Sequence, residues 1–170
     1  GTPEFAVPTL LGLVESSEIN LQIVVTQPDR PAGRKSSPGF TAVKAAAVDH
    51  EIPHILQPSL IDDDFLTTLT SLNIEAIIVI ASGHMLPKAL CEHYGERIAN
   101  LHASLLPRHR GASPVSAALL SGDSETGVSL MQVVHKLDSG PIFAQKTLQI
   151  SESDTTESLS LSLSLLAREL

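Results

Sequence analysis

Short runs of apolar, often β-branched residues alternate with amphipathic stretches along this 170-residue chain, and that alternation constrains its fold most tightly. Leu21–Thr26 (LQIVVT) closes in the turn-rich QPDRPAG, so a buried strand entering a loop is expected there. TAVKAAAVDHE reads as a helix capped by Thr41, HILQ as a short strand, and IDDDFLTTLTSLN as a helix with acids at its positive N-terminal end. EAIIVIAS has the pattern of the most clearly buried strand. Pro87 can start a short helix through KALCEH, RIANLHAS makes the next strand, and SPVSAALLSG reads as a helix closed by Gly122. TGVSLMQVV and PIFAQKTLQI are two further strands around HKLDSG. This order predicts an α/β fold built on a doubly wound, mostly parallel sheet.

The two ends read differently. The chain opens GTPEFAVPTLLGLVESS, a Gly-Thr-Pro turn followed by helical spacing of Phe5, Leu10, Leu13 and Val14. Such a turn follows a strand, so the first strand of the sheet is expected to lie before Gly1. The Ser-Leu alternation from Ser158 to Leu166 has the period of a strand, yet it follows SESDTTE, which supplies a cap. A helix is expected there, and the abrupt stop at Leu170 reads as a truncation.

With 42% hydrophobic and 18% charged residues the chain can build a core, which must come from Leu, Ile, Val and Ala because only 3% are aromatic and Trp is absent. The single cysteine, Cys91, excludes an internal disulfide and a Cys-based zinc site, and fits a reducing cytoplasm or organelle matrix. No apolar run approaches the ~20 residues that span a bilayer, so no membrane partner is expected. The net charge of -8 argues against a broad basic surface for nucleic acid. Local cationic patches remain at Arg30, Arg34 and Lys35, and at Arg108 and Arg110.

The chemistry concentrates in IANLHASLLPRHRGASP. Alternation puts Asn100 and His102 on one face of an extended segment, with Leu101 on the other. In open α/β sheets ligands bind beyond the carboxyl ends of the strands, and Asn100, His102, Gly83 and the LDSG loop with Asp138 are all expected near such an end. An amide, an imidazole and a carboxylate suit acyl transfer to an amine. Attack on a carbonyl carbon makes an oxyanion that the amide and a protonated imidazole can stabilise, while the carboxylate orients the ring or relays protons. Asn-x-His and Asp-Ser-Gly also occur as ordinary structural features, so the spacing alone does not decide.

The stretch NLHASLLPRHRGASP, with LDSGPI at Leu137–Ile142, resembles the signature Asn-x-His-x-Ser-Leu-Leu-Pro followed by Leu-Asp-x-Gly of the folate-dependent formyltransferases. GTPEFA, TQPDRPAGR and GDSETGVSLMQ resemble the branch of that family acting on methionyl-tRNA. The resemblance spans nearly the whole chain and implies a Rossmann-like catalytic domain over residues 1–170, from which a smaller C-terminal β-barrel domain is absent. It implies transfer of a formyl group from 10-formyltetrahydrofolate to the α-amine of initiator methionyl-tRNA, by a monomer without metal. Asn100 and His102 would stabilise the oxyanion and Asp138 would tune His102. Ser104, Leu105, Leu106 and Pro107 would border the folate, with Ile80, Ser82, Gly83 and Met85 lining the same cleft. Arg34, with Arg30 and Lys35, would approach the tRNA.

The chain departs from the family pattern in places. RKSSPGF stands where further lysines are common, Ser82 where a tyrosine is usual, and Val134 and Lys136 where an acid and a glycine are common. The remaining histidines, His50, His54, His84, His93, His109 and His135, lack metal-ligand spacing and are assigned no role. Competing readings are a formyltransferase for a small amine, a hydrolase of the same donor, a non-catalytic nucleotide-binding Rossmann module and an inactive partial copy.

Overall fold

The computed structural model describes residues 1–31 and 38–170, and the side chains of all of these but Pro31, Pro38 and Asp63. After a 3-10 turn at Glu4–Ala6, the described elements run α1 (Val7–Glu15), β1 (Ile23–Val25), β2 (Arg30–Pro31), β3 (Pro38–Gly39), α2 (Ala42–Asp49), β4 (His54–Leu56), α3 (Asp63–Ser71) and β5 (Ile77–Val79). There follow α4 (Lys88–Tyr94), β6 (Ile98–His102), α5 (Pro114–Leu120), β7 (Glu125–Gln132), β8 (Ile142–Gln149) and α6 (Thr156–Arg168).

The helix ends follow their local chemistry. Thr41 accepts a hydrogen bond from the Lys44 amide at 3.1 Å, and Asp62 accepts one from the Phe65 amide at 3.2 Å. Pro114 opens α5, and Gly122, at φ +66°, closes it while the Asp123 amide returns to the Ala118 carbonyl. In α6, Thr155 and Ser158 form a reciprocal capping box, so the Ser-Leu alternation folds as a helix. Its leucines then divide: Leu159 and Leu163 are wholly buried, and Leu161 is 62% exposed.

β1 and β4 pair in parallel, as do β5 and β6. β6–β7 and β7–β8 are antiparallel, giving the four-stranded order β5-β6-β7-β8. Residues 133–141 are too few for a crossover helix, so β8 returns beside β7 as its antiparallel neighbour. Two cores flank the strands. Val24, Ile80, Leu101 and Val128 pack with Leu10, Ala47, Leu159 and Leu163 on the α1, α2 and α6 side. Ile98 packs with Phe65, Leu69, Leu90 and Tyr94 on the α3 and α4 side, joined there by Ile23, Val25, Ile77 and Val79. Helices on both faces make the α/β fold doubly wound.

β5 is less buried than its apolar run suggests, since Ile78 is 40% exposed. β1 and β5 pair with β4 and β6 but not with each other. Gly1 lies where their ends come together. Its nitrogen donates to the Val25 carbonyl at 3.0 Å, and a β-carbon on it would sit 2.7 Å from the Ile80 carbonyl oxygen.

The division within α6 is testable by urea unfolding. Leu163→Ala should cost about 2–5 kcal/mol through the cavity it leaves, whereas Leu161→Ala should change stability by less than about 0.5 kcal/mol.

Candidate active site

β6 delivers the site. Leu101 turns into the α1–α6 core, so Asn100 and His102 face the other side of the sheet, the side on which Ile98 packs. Val79 of β5 lies opposite Asn100, which sets Ile80–Gly83 beside the carboxyl end of β6. Asn100 is half-buried, and among the described residues none hydrogen-bonds its side-chain amide.

His102 is only 6% exposed. Its Nε2 lies 2.9 Å from the His109 carbonyl, which can only accept, so Nε2 carries the proton. That leaves Nδ1 3.6 Å from Asp138 Oδ2, within ion-pair distance but too long for a hydrogen bond. The same carboxylate oxygen accepts from the Gly111 amide at 2.8 Å. Asp138 sits in the left-handed region at φ +44°, which aims its side chain back over the sheet.

The route of Asp138 differs from expectation. Because β7 runs antiparallel to β6, Gln132 ends opposite Ala99, and the 133–141 loop leaves from the far end of β6. The loop returns along the strand to reach His102, so Asp138 arrives from a different direction than the ends of the parallel strands would provide. Asn100, His102 and Asp138 share one face of the sheet, with the His102–Asp138 pair in direct contact.

The SLLP segment is a tightly bonded turn. The Ser104 hydroxyl donates to the Arg108 carbonyl at 2.6 Å. The Ser129 hydroxyl donates to the Ser104 carbonyl at 2.6 Å and accepts from the Leu106 amide at 3.0 Å. Gln145 Nε2 reaches both Ser129 Oγ, at 2.7 Å, and the Leu106 carbonyl, at 3.1 Å. Of the residues expected along a folate, Ser104, Leu106 and Ile80 therefore have side chains enclosed by protein. Leu105 and Ser82 are half-buried, while Pro107, Gly83 and Met85 are exposed. His84 Nε2 donates to the Pro58 carbonyl at 3.0 Å, leaving Nδ1 to accept from the Ser82 hydroxyl at 3.1 Å.

A recess of about 580 Å³ opens at the carboxyl ends of β1 and β5, lined by Thr2, Gln27, Arg30, Phe40, Thr41 and Gly83. This is the size of a small-ligand pocket. Arg30 is exposed there; Arg34 and Lys35 lie outside the described residues. Asp29 beside it is ion-paired to Lys44 and accepts from Gln57 Nε2 at 2.8 Å, and Lys44 holds its carboxyl below the usual range. Among the described residues, no group of three or more His, Cys, Asp or Glu side chains could hold a metal ion. No described helix is long and apolar enough to cross a membrane.

Sequence reasoning left His109 and Asp123 without roles, yet both reach the site. His109 Nε2 donates to Asp123 Oδ2 at 2.6 Å, and Arg108 grips the same carboxylate through Nε, at 2.9 Å, and Nη2. The Arg108 guanidinium, and then the His109 ring, hold the Asp123 carboxyl well below the ordinary carboxylate range. The available signal was the flanking of His109 by two arginines in RHR, with an acid following the Gly122 helix stop.

An amide and a buried imidazole on β6 and a carboxylate from the 133–141 loop are thus gathered on one face of an α/β sheet, beside the carboxyl end of β5. The chain belongs to the formyl transferase family, whose model matches residues 1–169. It is 44% identical over 170 residues to methionyl-tRNA formyltransferase of Thermodesulfovibrio yellowstonii, covering all of this chain and 55% of that protein. The chain thus spans about half the length of the curated relatives it matches. Its fold is shared with phosphoribosylglycinamide formyltransferase from Anaplasma phagocytophilum, at a TM-score of 0.80 and 22% identity over 96% of this chain and 78% of that one. It is also shared with a formyltetrahydrofolate deformylase from Pseudomonas syringae pv. tomato, at a TM-score of 0.78 and 20% identity over 99% and 55% of the two chains.

The Asp123 cluster predicts a pH signature. A carboxylate whose folded pKa is depressed adds stability that is complete above its ordinary value, about 3.8, and is lost as the pH falls below that toward the folded value. Asp123→Asn should therefore be less stable than the parent from neutral through mildly acidic pH. The gap should close only in strong acid, as read by urea midpoints across pH.

Proposed function

We propose that the chain carries the catalytic site that transfers a formyl group from 10-formyltetrahydrofolate to the α-amino group of methionine on initiator tRNA. The observation that carries this reading is the buried His102–Asp138 pair, with Asn100 on the same strand face, in a chain 44% identical to a methionyl-tRNA formyltransferase.

The residues suit the chemistry step by step. The amine nitrogen forms a bond to the formyl carbon, and the formyl oxygen becomes an oxyanion. The Asn100 amide donates to that oxygen, and His102 presents Nδ1 to the same space once Nε2 is committed to His109. Asp138, 3.6 Å from Nδ1, stabilises the imidazolium and steers the ring. The proton lost by the amine is exchanged through this pair as the bond from carbon to the folate N10 breaks and N10 gains a proton. No side-chain nucleophile is needed, because the substrate amine attacks directly.

The exposed backbone at Gly83 and the exposed Met85 and Pro107 side chains offer contacts to the folate, while Ser104 and Leu106 shape the turn from within. Arg30, joined by Arg34 and Lys35, would meet tRNA phosphates, which a few loop cations can do on an acidic protein.

The test is formylation by the full-length protein with methionyl initiator tRNA, glycinamide ribonucleotide and water as competing acceptors. Transfer to the tRNA is expected to dominate, and release of formate or formylation of the small amine alone would overturn the assignment. His102→Ala and Asp138→Asn should each lower kcat by about 100-fold or more, and Asn100→Ala by about 100- to 1,000-fold. Rates near the parent's in the first two variants would refute these roles.

A further inference from the structure

We propose that Asp123 is a positioning residue for the reaction, acting through the His109 ring to hold the backbone carbonyl that sets the His102 tautomer. This rests on the functional reading above and adds a residue to it. His109 lies in the left-handed region at φ +53°, uncommon for a residue with a β-carbon, and here its ring and its carbonyl are both held by partners. In that conformation its carbonyl oxygen meets His102 Nε2 at 2.9 Å while its ring points away to Asp123.

The holding group is itself anchored. Asp123 follows the Gly122 stop of α5, and its amide is tied to the Ala118 carbonyl at 3.1 Å. Its carboxylate is nearly buried, with 10% of the side chain exposed, and it takes the His109 ring at 2.6 Å beside the Arg108 guanidinium. The Ser104 hydroxyl holds the neighbouring Arg108 carbonyl at 2.6 Å, so this end of the loop is pinned on both sides of the 108–109 peptide. The chain of contacts runs from the end of α5 through Asp123 and the His109 ring to the His109 carbonyl and then to His102.

The consequence is a choice of nitrogen. A neutral imidazole carries one proton, and whichever nitrogen donates to a fixed acceptor leaves the other to exchange protons. With the His109 carbonyl in place, Nε2 keeps the proton and Nδ1 faces Asp138. Without it the ring is free to take the other tautomer, which puts N–H toward Asp138 and removes the exchanging nitrogen from the cleft.

The experiment uses the full-length protein with Asp123→Ala and, as the milder change, Asp123→Asn. Two readouts are taken: kcat and KM for both substrates, and the tautomer of the His102 ring from nitrogen-15 NMR of the substrate-free protein. In Asp123→Ala we expect kcat to fall about 10-fold or more with KM values within about twofold, since a misplaced group costs rate rather than affinity. The His102 signals should move from Nε2–H to a tautomer mixture, with a smaller change in Asp123→Asn. A double variant with His109→Ala should be no slower than the slower single variant if both residues act as one unit.

Unchanged kcat and unchanged His102 signals in a folded variant overturn the proposal, as does a rise in KM at constant kcat. If Asp123→Ala does not fold, Asp123→Asn is judged by the same outcomes. The tautomer measurement needs no substrate. A parent protein inactive toward methionyl-tRNA would count against the functional reading, while an unmoved tautomer counts against Asp123.

Discussion

A histidine ring enclosed by protein has two nitrogens to satisfy without water, and the site is arranged around that demand. His102 at the end of β6 gives Nε2–H to a carbonyl and turns Nδ1 toward a carboxylate. The two partners come from residues 103–113, which follow β6, and residues 133–141, which follow β7 beside the opposite end of β6, so both must fold back over one strand. Burying the Asp138 carboxylate is costly unless it is hydrogen-bonded, and the Gly111 amide supplies that bond while tying the two loops together. Loop closure, charge burial and the choice of ring nitrogen are thus one problem solved by one set of contacts.

Rigidity in the 103–113 loop comes from hydroxyl groups with no exposure at all. Ser104 and Ser129 are fully buried, and between them and Gln145 they satisfy the carbonyls of residues 104, 106 and 108 and the amide of Leu106. A buried turn otherwise leaves such groups orphaned, each at roughly 1–3 kcal/mol. Because β7 and β8 contribute Ser129 and Gln145, the antiparallel half of the sheet is the support on which the turn after β6 is mounted.

Much of this was legible from residues, and the gaps have physical reasons. Asn100 and His102 could be placed on one face because strand alternation is strictly local, and Thr41, Pro114 and Gly122 marked helix ends for reasons within a few residues of themselves. The Ser158–Leu166 alternation was decided by its cap at Thr155, although its leucines do not divide by the twofold period that the letters suggest. The direction from which Asp138 arrives depends on β7 reversing against β6, a pairing between distant segments. Asp123 and His109 stayed hidden for the same reason: a helix end and a left-handed turn meet only after folding. Ser104 looked like a ligand contact because its motif borders a ligand, whereas its hydroxyl is spent on Arg108.

The two parallel pairs meet at the cleft through Gly1 and Thr2. Thr2 Oγ1 donates to the Ser82 carbonyl at 3.0 Å and accepts from the Gln27 amide at 3.2 Å, linking the loops that follow β5 and β1. Gln27 Nε2 reaches the same Ser82 carbonyl at 3.5 Å, and Thr2, Gln27 and Gly83 from these segments line the recess beside Arg30. Charge is arranged to match. The acid nearest in sequence, Asp29, is already neutralised by Lys44, and Arg30 has no ion-pair partner among the described residues. A chain of net charge -8 thereby keeps a local cation, Arg30, at the mouth of its cleft, and salt screens the more distant acidic surface beyond about a Debye length. For the proposed substrate, attraction would be confined to the end that enters the recess, and the acidic remainder would disfavour tRNA lying elsewhere on this surface.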